Sequence, residues 1–124
     1  MWVRNLKDCE EFIAGDGTKL REIMHPDKHP VALRYSFAHA RVAAGETSLP
    51  HSLETSEVYY LLSGKGVMHI NVEIREVGPG DCIYIPANAR QFIHNPGPEE
   101  LVFICMVDPA WRKEDETIYP SEPQ

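Results

Sequence analysis

Two stretches of this chain set chemically capable side chains between glycines. The first, Gly45 to Gly64, reads G-E-T-S-L-P-H-S-L-E-T-S-E-V-Y-Y-L-L-S-G and carries His51 and Glu57. The second, Gly80 to Asn95, reads G-D-C-I-Y-I-P-A-N-A-R-Q-F-I-H-N and carries Gln91 and His94. An imidazole and a carboxylate brought to one point can hold a divalent ion or move a proton on a substrate. In a strand only alternate side chains share a face, which puts Glu57, Tyr59 and Leu61 together. A carboxylate turned inward is costly unless it is paired or meets a cation, so Glu57 is a candidate for function. Gln91 offers an amide that can ligate a hard cation weakly, bond a ligand or satisfy a buried neighbour. His94 lies three residues beyond Gln91. That odd offset turns it to the opposite face of a regular strand.

The elements that must position these residues read mostly as strands. Residues 5–13 suggest a short helix capped by Asn5, with Leu6, Cys9 and Ile13 on one side, ended by the Ala-Gly-Asp-Gly turn at 14–17. Residues 18–24 suggest a strand, and the two prolines in 25–30 a loop. Residues 31–42 alternate, with Val31, Leu33, Tyr35 and Phe37 on one face and Ala32, Arg34, Ser36 and Ala38 on the other. A hairpin around Ser63-Gly-Lys-Gly66 joins strands at 57–62 and 67–72, and 73–77 continues the pairing. Further strands are expected at 82–85, 91–94 and 100–107. His39 and Arg41 follow the phase of Phe37; if that face lines a cavity they could grip an anionic substrate, and otherwise they are a polar strand end. His69 can face either way against Met68 and Ile70. His25 and His29 read as solvent histidines of a loop. Tyr84, out of phase with Ile83 and Ile85, is expected on the outer face or at a subunit contact.

A formal charge of −7 argues against a nucleic-acid partner, which needs a clustered basic surface. Glu99, Glu100, Glu114, Asp115, Glu116 and Glu122 crowd the C-terminal quarter and read as a solvated tail that wraps the domain or frays. Cys9, Cys82 and Cys105 form no CxxC pair, and Cys82 and Cys105 sit in apolar runs where a thiol packs as a small hydrophobe. No signal-peptide pattern is visible and no apolar run approaches the roughly 20 residues of a membrane span. A cytoplasmic protein without a membrane partner is the expectation. Short strands punctuated by Gly and Pro point to an all-β sandwich or barrel.

The two glycine-bounded blocks resemble the paired signature motifs of the cupin superfamily. Against G-x5-H-x-H-x3-4-E-x6-G, the residues Gly45, His51, Glu57 and Gly64 match, while Leu53 stands at the second histidine. Against G-x5-P-x-G-x2-H-x3-N, the residues Gly80, Pro86 and Asn95 match, while Asn88 replaces the middle glycine and Gln91 the histidine. Asparagine is a sensible replacement, since it tolerates left-handed backbone. The chain further resembles small one-domain proteins described as similar to mannose-6-phosphate isomerase. The resemblance implies an all-β jelly-roll barrel with a short N-terminal helix, divided into an extension (1–30), the barrel (31–107) and a polar tail (108–124). It implies a homodimer, and a divalent metal (Fe, Mn or Zn) held by His51, Glu57 and Gln91. In that reading Tyr59 or Glu57 moves a proton, and Arg41, His39 and Gln91 contact a small polar ligand. Two alternatives remain open: a metal-free ligand-binding module, and a metal-independent isomerase or epimerase with His51 as base. Tyr59 itself is either a proton donor or an aromatic that fills the barrel.

Overall fold

The structure, a computed structural model, describes residues 1–120; Glu122 of the acidic tail lies outside them. Among the described residues eleven strands are present: β1 (Glu11–Ile13), β2 (Lys19–Met24), β3 (Ser36–Val42), β4 (His51–Leu53), β5 (Ser56–Ser63), β6 (Gly66–Ile70), β7 (Glu73–Val77), β8 (Cys82–Ile85), β9 (Gln91–His94), β10 (Leu101–Asp108) and β11 (Glu116–Ile118). They pair antiparallel in two sheets, one in the order β1-β2-β3-β10-β5-β8 and the other β11-β4-β9-β6-β7. The expected all-β barrel is therefore present, with short 3₁₀ turns at Leu6–Asp8 and Lys113–Asp115 as its helical content among the described residues. Its core joins the inner faces of both sheets, with Leu61, Phe103 and Ile85 from one packing toward Met68 and Ile93 from the other. No helix among the described residues is long and apolar enough to cross a membrane.

The alternation within β5, β9 and β10 falls as the sequence suggests. Glu57, Tyr59 and Leu61 are buried, as are Leu101, Phe103, Cys105 and Val107, while their neighbours are more exposed. Asn88 has φ of +67°, so it does occupy the left-handed position that glycine holds in the related motif. Asn95 is fully buried and donates to the Val42 and Glu99 carbonyls, which ties the turn after β9 to the end of β3.

Elsewhere the expectations need correction. The proposed helix over 5–13 is one 3₁₀ turn, with the Asn5 side chain accepting from the Lys7 amide at 3.0 Å, followed by β1 on the edge of the larger sheet. Pairing with β2 outweighs a helical stretch too short to be stable alone. In β3 the buried phase is Ser36, Ala38, Ala40 and Val42, opposite to the larger apolar side chains, and the strand begins at residue 36. The reason lies across the sheet. Ala38 and Ala40 pair with Cys105 and Phe103, and larger inward residues there would fill the hollow described below. Cys82 is exposed because β8 is an edge strand, whereas Cys9 and Cys105 are buried. His25 is buried too. Its Nε2 lies 2.6 Å from the Trp111 carbonyl and its Nδ1 accepts from the Asp27 amide, so it anchors the C-terminal segment rather than meeting solvent. That segment wraps the barrel: β11 pairs with β4, setting Glu116 opposite Leu53 and Ile118 opposite His51.

Candidate functional site

Between the two sheets, at the side where edges β1 and β11 meet, lies a hollow of about 190 Å³. Its polar wall is Asp16, His51, Glu57, Tyr59 and Glu116; Leu20, Leu53, Ala38, Ala40 and Phe103 supply the apolar one. Strand register builds it. His51 on β4 stands opposite Gln91 on β9 in the smaller sheet, and Glu57 and Tyr59 project inward from β5 of the larger one.

A hydrogen-bonded chain crosses from sheet to sheet. The Tyr59 hydroxyl donates to Gln91 Oε1 at 3.0 Å, and Gln91 Nε2 donates to Glu57 Oε1 at 3.0 Å. His51 Nδ1 lies 3.0 Å from the Leu49 carbonyl, an atom that only accepts, so Nδ1 carries the proton and Nε2 keeps the lone pair. The same Nδ1 is 3.8 Å from Asp16 Oδ2, beyond hydrogen-bond range. Asp16 in turn is held by the Thr18 amide and hydroxyl through Oδ1, at 3.1 and 2.8 Å.

Burial dominates the acid–base character of the site. It pushes the Glu57 carboxyl up to about 7, against the opposing pull of His51 and of the hydrogen bond from Gln91. Burial also raises Glu116, again opposed by His51, and lifts the Tyr59 phenol well above its usual range, which keeps it protonated. The site therefore holds a carboxyl group poised near neutrality beside an imidazole with a free acceptor nitrogen.

A model of the Cupin domain matches residues 38–107, a span that contains His51, Glu57, Tyr59 and Gln91. This chain belongs to the cupin family. An uncharacterized protein of Methanocaldococcus jannaschii is 38% identical to this cupin over 108 residues, 86% of each chain. The mannose-1-phosphate guanylyltransferase ManC of Salmonella typhimurium is 27% identical over a region that makes up 94% of this cupin and 26% of that protein. Among solved structures, Streptomyces Pac13, described as a nucleoside dehydratase, superposes with a TM-score of 0.79 at 22% identity, covering 98% of this cupin and 92% of that chain. At that identity the likeness speaks for the fold alone.

His51, Glu57, Tyr59 and Gln91 thus come together in this cupin, while the other expected residues do not. Arg41 and His39 lie on the outward phase of β3, away from the hollow. Arg41 is held there by Glu11 and Glu100, each at 2.6 Å, so its charge is already paired. His94 also points outward, bonded to Thr47, and His69 stacks on Phe92 at 4.0 Å between ring centroids. The Tyr59 hydroxyl donates its hydrogen bond to Gln91, which links it through that amide to Glu57. Asp16 and Glu116 are the residues that sequence reasoning missed. The first sits in a glycine turn read only as a helix stop, the second in an acidic run read as solvated. The alternation Glu116, Ile118 around Thr117 was the available signal for a short strand.

The donor set does not fit a divalent ion as it stands. Leu53 is an apolar wall where a second imidazole would be needed, and the Gln91 oxygen already accepts from Tyr59. Among the described residues no three His, Cys, Asp or Glu side chains are grouped to hold a metal.

The pH dependence of stability reports directly on Glu57. Its folded carboxyl holds a proton up to about pH 7, whereas in an unfolded chain it releases it near about 4.3. The folded state thus binds the proton more tightly. The associated stability is full below the unfolded value and is lost as pH rises through about 7. At about 1.36 kcal/mol per unit the loss is on the order of 4 kcal/mol. Glu57→Gln should flatten the dependence of urea midpoint on pH between about 4 and 8. Parallel curves for variant and wild type would show that Glu57 is already ionised in the fold.

Proposed function

We propose that this cupin is a metal-independent acid–base catalyst acting on a small hydroxyl-bearing metabolite. The observation that carries this reading is the pairing, in one enclosed hollow, of the His51 ring, its Nδ1–H tethered, with the buried Glu57 carboxyl. Nε2 of His51 takes a proton from a carbon next to a hydroxyl-bearing one. The electron pair of that C–H bond forms a double bond as the C–O bond breaks, and the Glu57 proton leaves with the hydroxyl as water. The Tyr59–Gln91 pair fixes the Glu57 carboxyl at Oε1 and leaves its other oxygen for this transfer. The same two groups, with proton return to a neighbouring atom, give an isomerisation or epimerisation. The description of Pac13 as a dehydratase supports the reading that a barrel of this shape can house water elimination. Free Cys9, Cys82 and Cys105 accord with a reducing cytoplasm as the place of action.

A second reading has one observation in its favour: the Leu49 tether that frees Nε2 of His51 is also how metal-ligating histidines are held. A Fe, Mn or Zn ion at His51 and Glu57 would then act with Gln91 turned away from Tyr59. Untagged protein, stripped with a chelator and assayed for metal content and for turnover of sugars, nucleosides and hydroxy acids, separates the two. Turnover that survives stripping supports metal-independent catalysis. Activity lost on stripping and restored by one stoichiometric ion overturns it, as does tight binding with no turnover of any panel member.

A further inference from the structure

We infer that the metabolite held in this hollow carries an ammonium group, seated between Asp16 and Glu116; the inference deepens the acid–base reading and rests on it. The charges around the hollow are unbalanced. Asp16, Glu22, Glu57 and Glu116 line it, against Lys28 and His51. Lys28 is committed to Glu22 at 2.7 Å, so its charge is already answered. The Glu57 carboxyl holds the proton of the acid step, so of the three remaining carboxyl groups Asp16 and Glu116 carry the charge, faced by one imidazole.

Each of the three has an oxygen left over. Asp16 uses Oδ1 for Thr18 and keeps Oδ2 near His51 Nδ1, whose proton points to the Leu49 carbonyl. Glu57 is 7% exposed; Oε1 accepts from Gln91 and Oε2 takes no hydrogen bond from the described residues. Glu116 accepts at Oε2 from the Trp111 indole at a long 3.4 Å. Its Oε1 lies only 3.0 Å from where a side chain on Gly15 would begin, so the bare glycine lets β11 bring this carboxylate up beside Asp16. The three arrive from unconnected parts of the chain: the turn before β2, β5 and β11. Convergent carboxylates in a hollow without a cation are costly, and the protein partners of these groups are a neutral amide, a hydroxyl, backbone and an indole.

A guest ammonium answers this. It has three donors and no acceptor, which suits the spare oxygens of Asp16 and Glu116, and its charge replaces the one the protein does not supply. An anionic guest would face like charge with only the committed Lys28 to offset it. The remaining walls set the rest of the molecule. About 190 Å³ holds one small ring, and Leu20, Leu53 and Phe103 suit its hydrocarbon face. The class indicated is a small hydroxylated primary amine, of the size of an amino sugar.

Isothermal titration of the wild-type protein with glucosamine, N-acetylglucosamine, glucose and glucose 6-phosphate tests it, since these vary charge on one ring. Glucosamine should bind at least tenfold more tightly than glucose, and the acetylated and phosphorylated rings no better than glucose. In Glu116→Gln, and separately in Asp16→Asn, the glucosamine-to-glucose ratio should fall toward one; two variants guard against one that fails to fold. Equal binding of glucosamine and glucose, or a ratio unchanged in both folded variants, overturns the inference. So does stoichiometric binding of Mn²⁺ or Zn²⁺ that Glu116→Gln abolishes, because the carboxylates would then serve an inorganic cation. Failure here is distinguishable from failure of the catalytic reading. A neutral ring turned over as well as an amine removes only the ammonium, and selective amine binding without His51-dependent turnover removes only the catalysis.

Discussion

His51→Gln should lower kcat/KM by about 10³-fold on whichever substrate the protein turns over, within the usual range for loss of a positioned general base. Glutamine keeps a donor of similar reach for the Leu49 carbonyl, so the local backbone tether is retained while the basic nitrogen is lost. The variant should therefore melt close to wild type. Activity and unfolding must be measured on the same preparation, because His51 is buried on a strand paired with β11 through Ile118 and with β9 through Gln91, and a careless substitution would loosen the wall itself. A drop confined to KM would identify a binding histidine. Turnover within about threefold of wild type, in a folded protein, would remove the base from the mechanism.

Gly64→Ala should be the most damaging single methyl in the barrel. Gly64 follows the end of β5 and turns the chain into β6 with φ of +79°. A Cβ there would lie 2.3 Å from the Glu100 carbonyl oxygen and 2.8 Å from the Leu101 Cα, both backbone atoms that cannot rotate away. Left-handed backbone costs an alanine about 1–2 kcal/mol on its own. Pushing β10 away from the hairpin adds a strain comparable to overpacking, for a total of about 4 kcal/mol. Urea unfolding of the variant against wild type measures it. Gly45→Ala is the natural control: φ is +83°, yet nothing lies within 4 Å of its Cβ, so only the backbone strain should appear. Equal losses for the two variants would mean that the Gly64 turn shifts freely and the close approach is not a constraint.

Much of the site could be read along the chain because strands obey a local rule. Alternation placed Glu57, Tyr59 and Leu61 on one buried face and turned His94 away from Gln91, and glycine spacing located the turns that bring β4 and β9 together. The same rule could not choose between faces where burial is set by what lies opposite. β3 reads more strongly apolar through Val31, Leu33, Tyr35 and Phe37, yet its alanines face inward, because Phe103 and Cys105 on β10 already occupy the space. Arg41 and His39 were carried outward with that inverted phase.

The amino-acid sequence by itself determined the class of fold, the turns and the identities of the imidazole, carboxylate and amide that meet in the barrel, since these follow from periodicity and spacing within short segments. Only the tertiary structure decided which partners those groups meet. Whether Gln91 offers its oxygen to an ion or spends it on Tyr59 depends on a partner 32 residues away. Whether Asp16 and Glu116 are solvated or confront His51 depends on strands from opposite ends of the chain closing on one hollow. Charge, unlike periodicity, acts through space, and its sum at a point cannot be taken until the fold has said which residues are there.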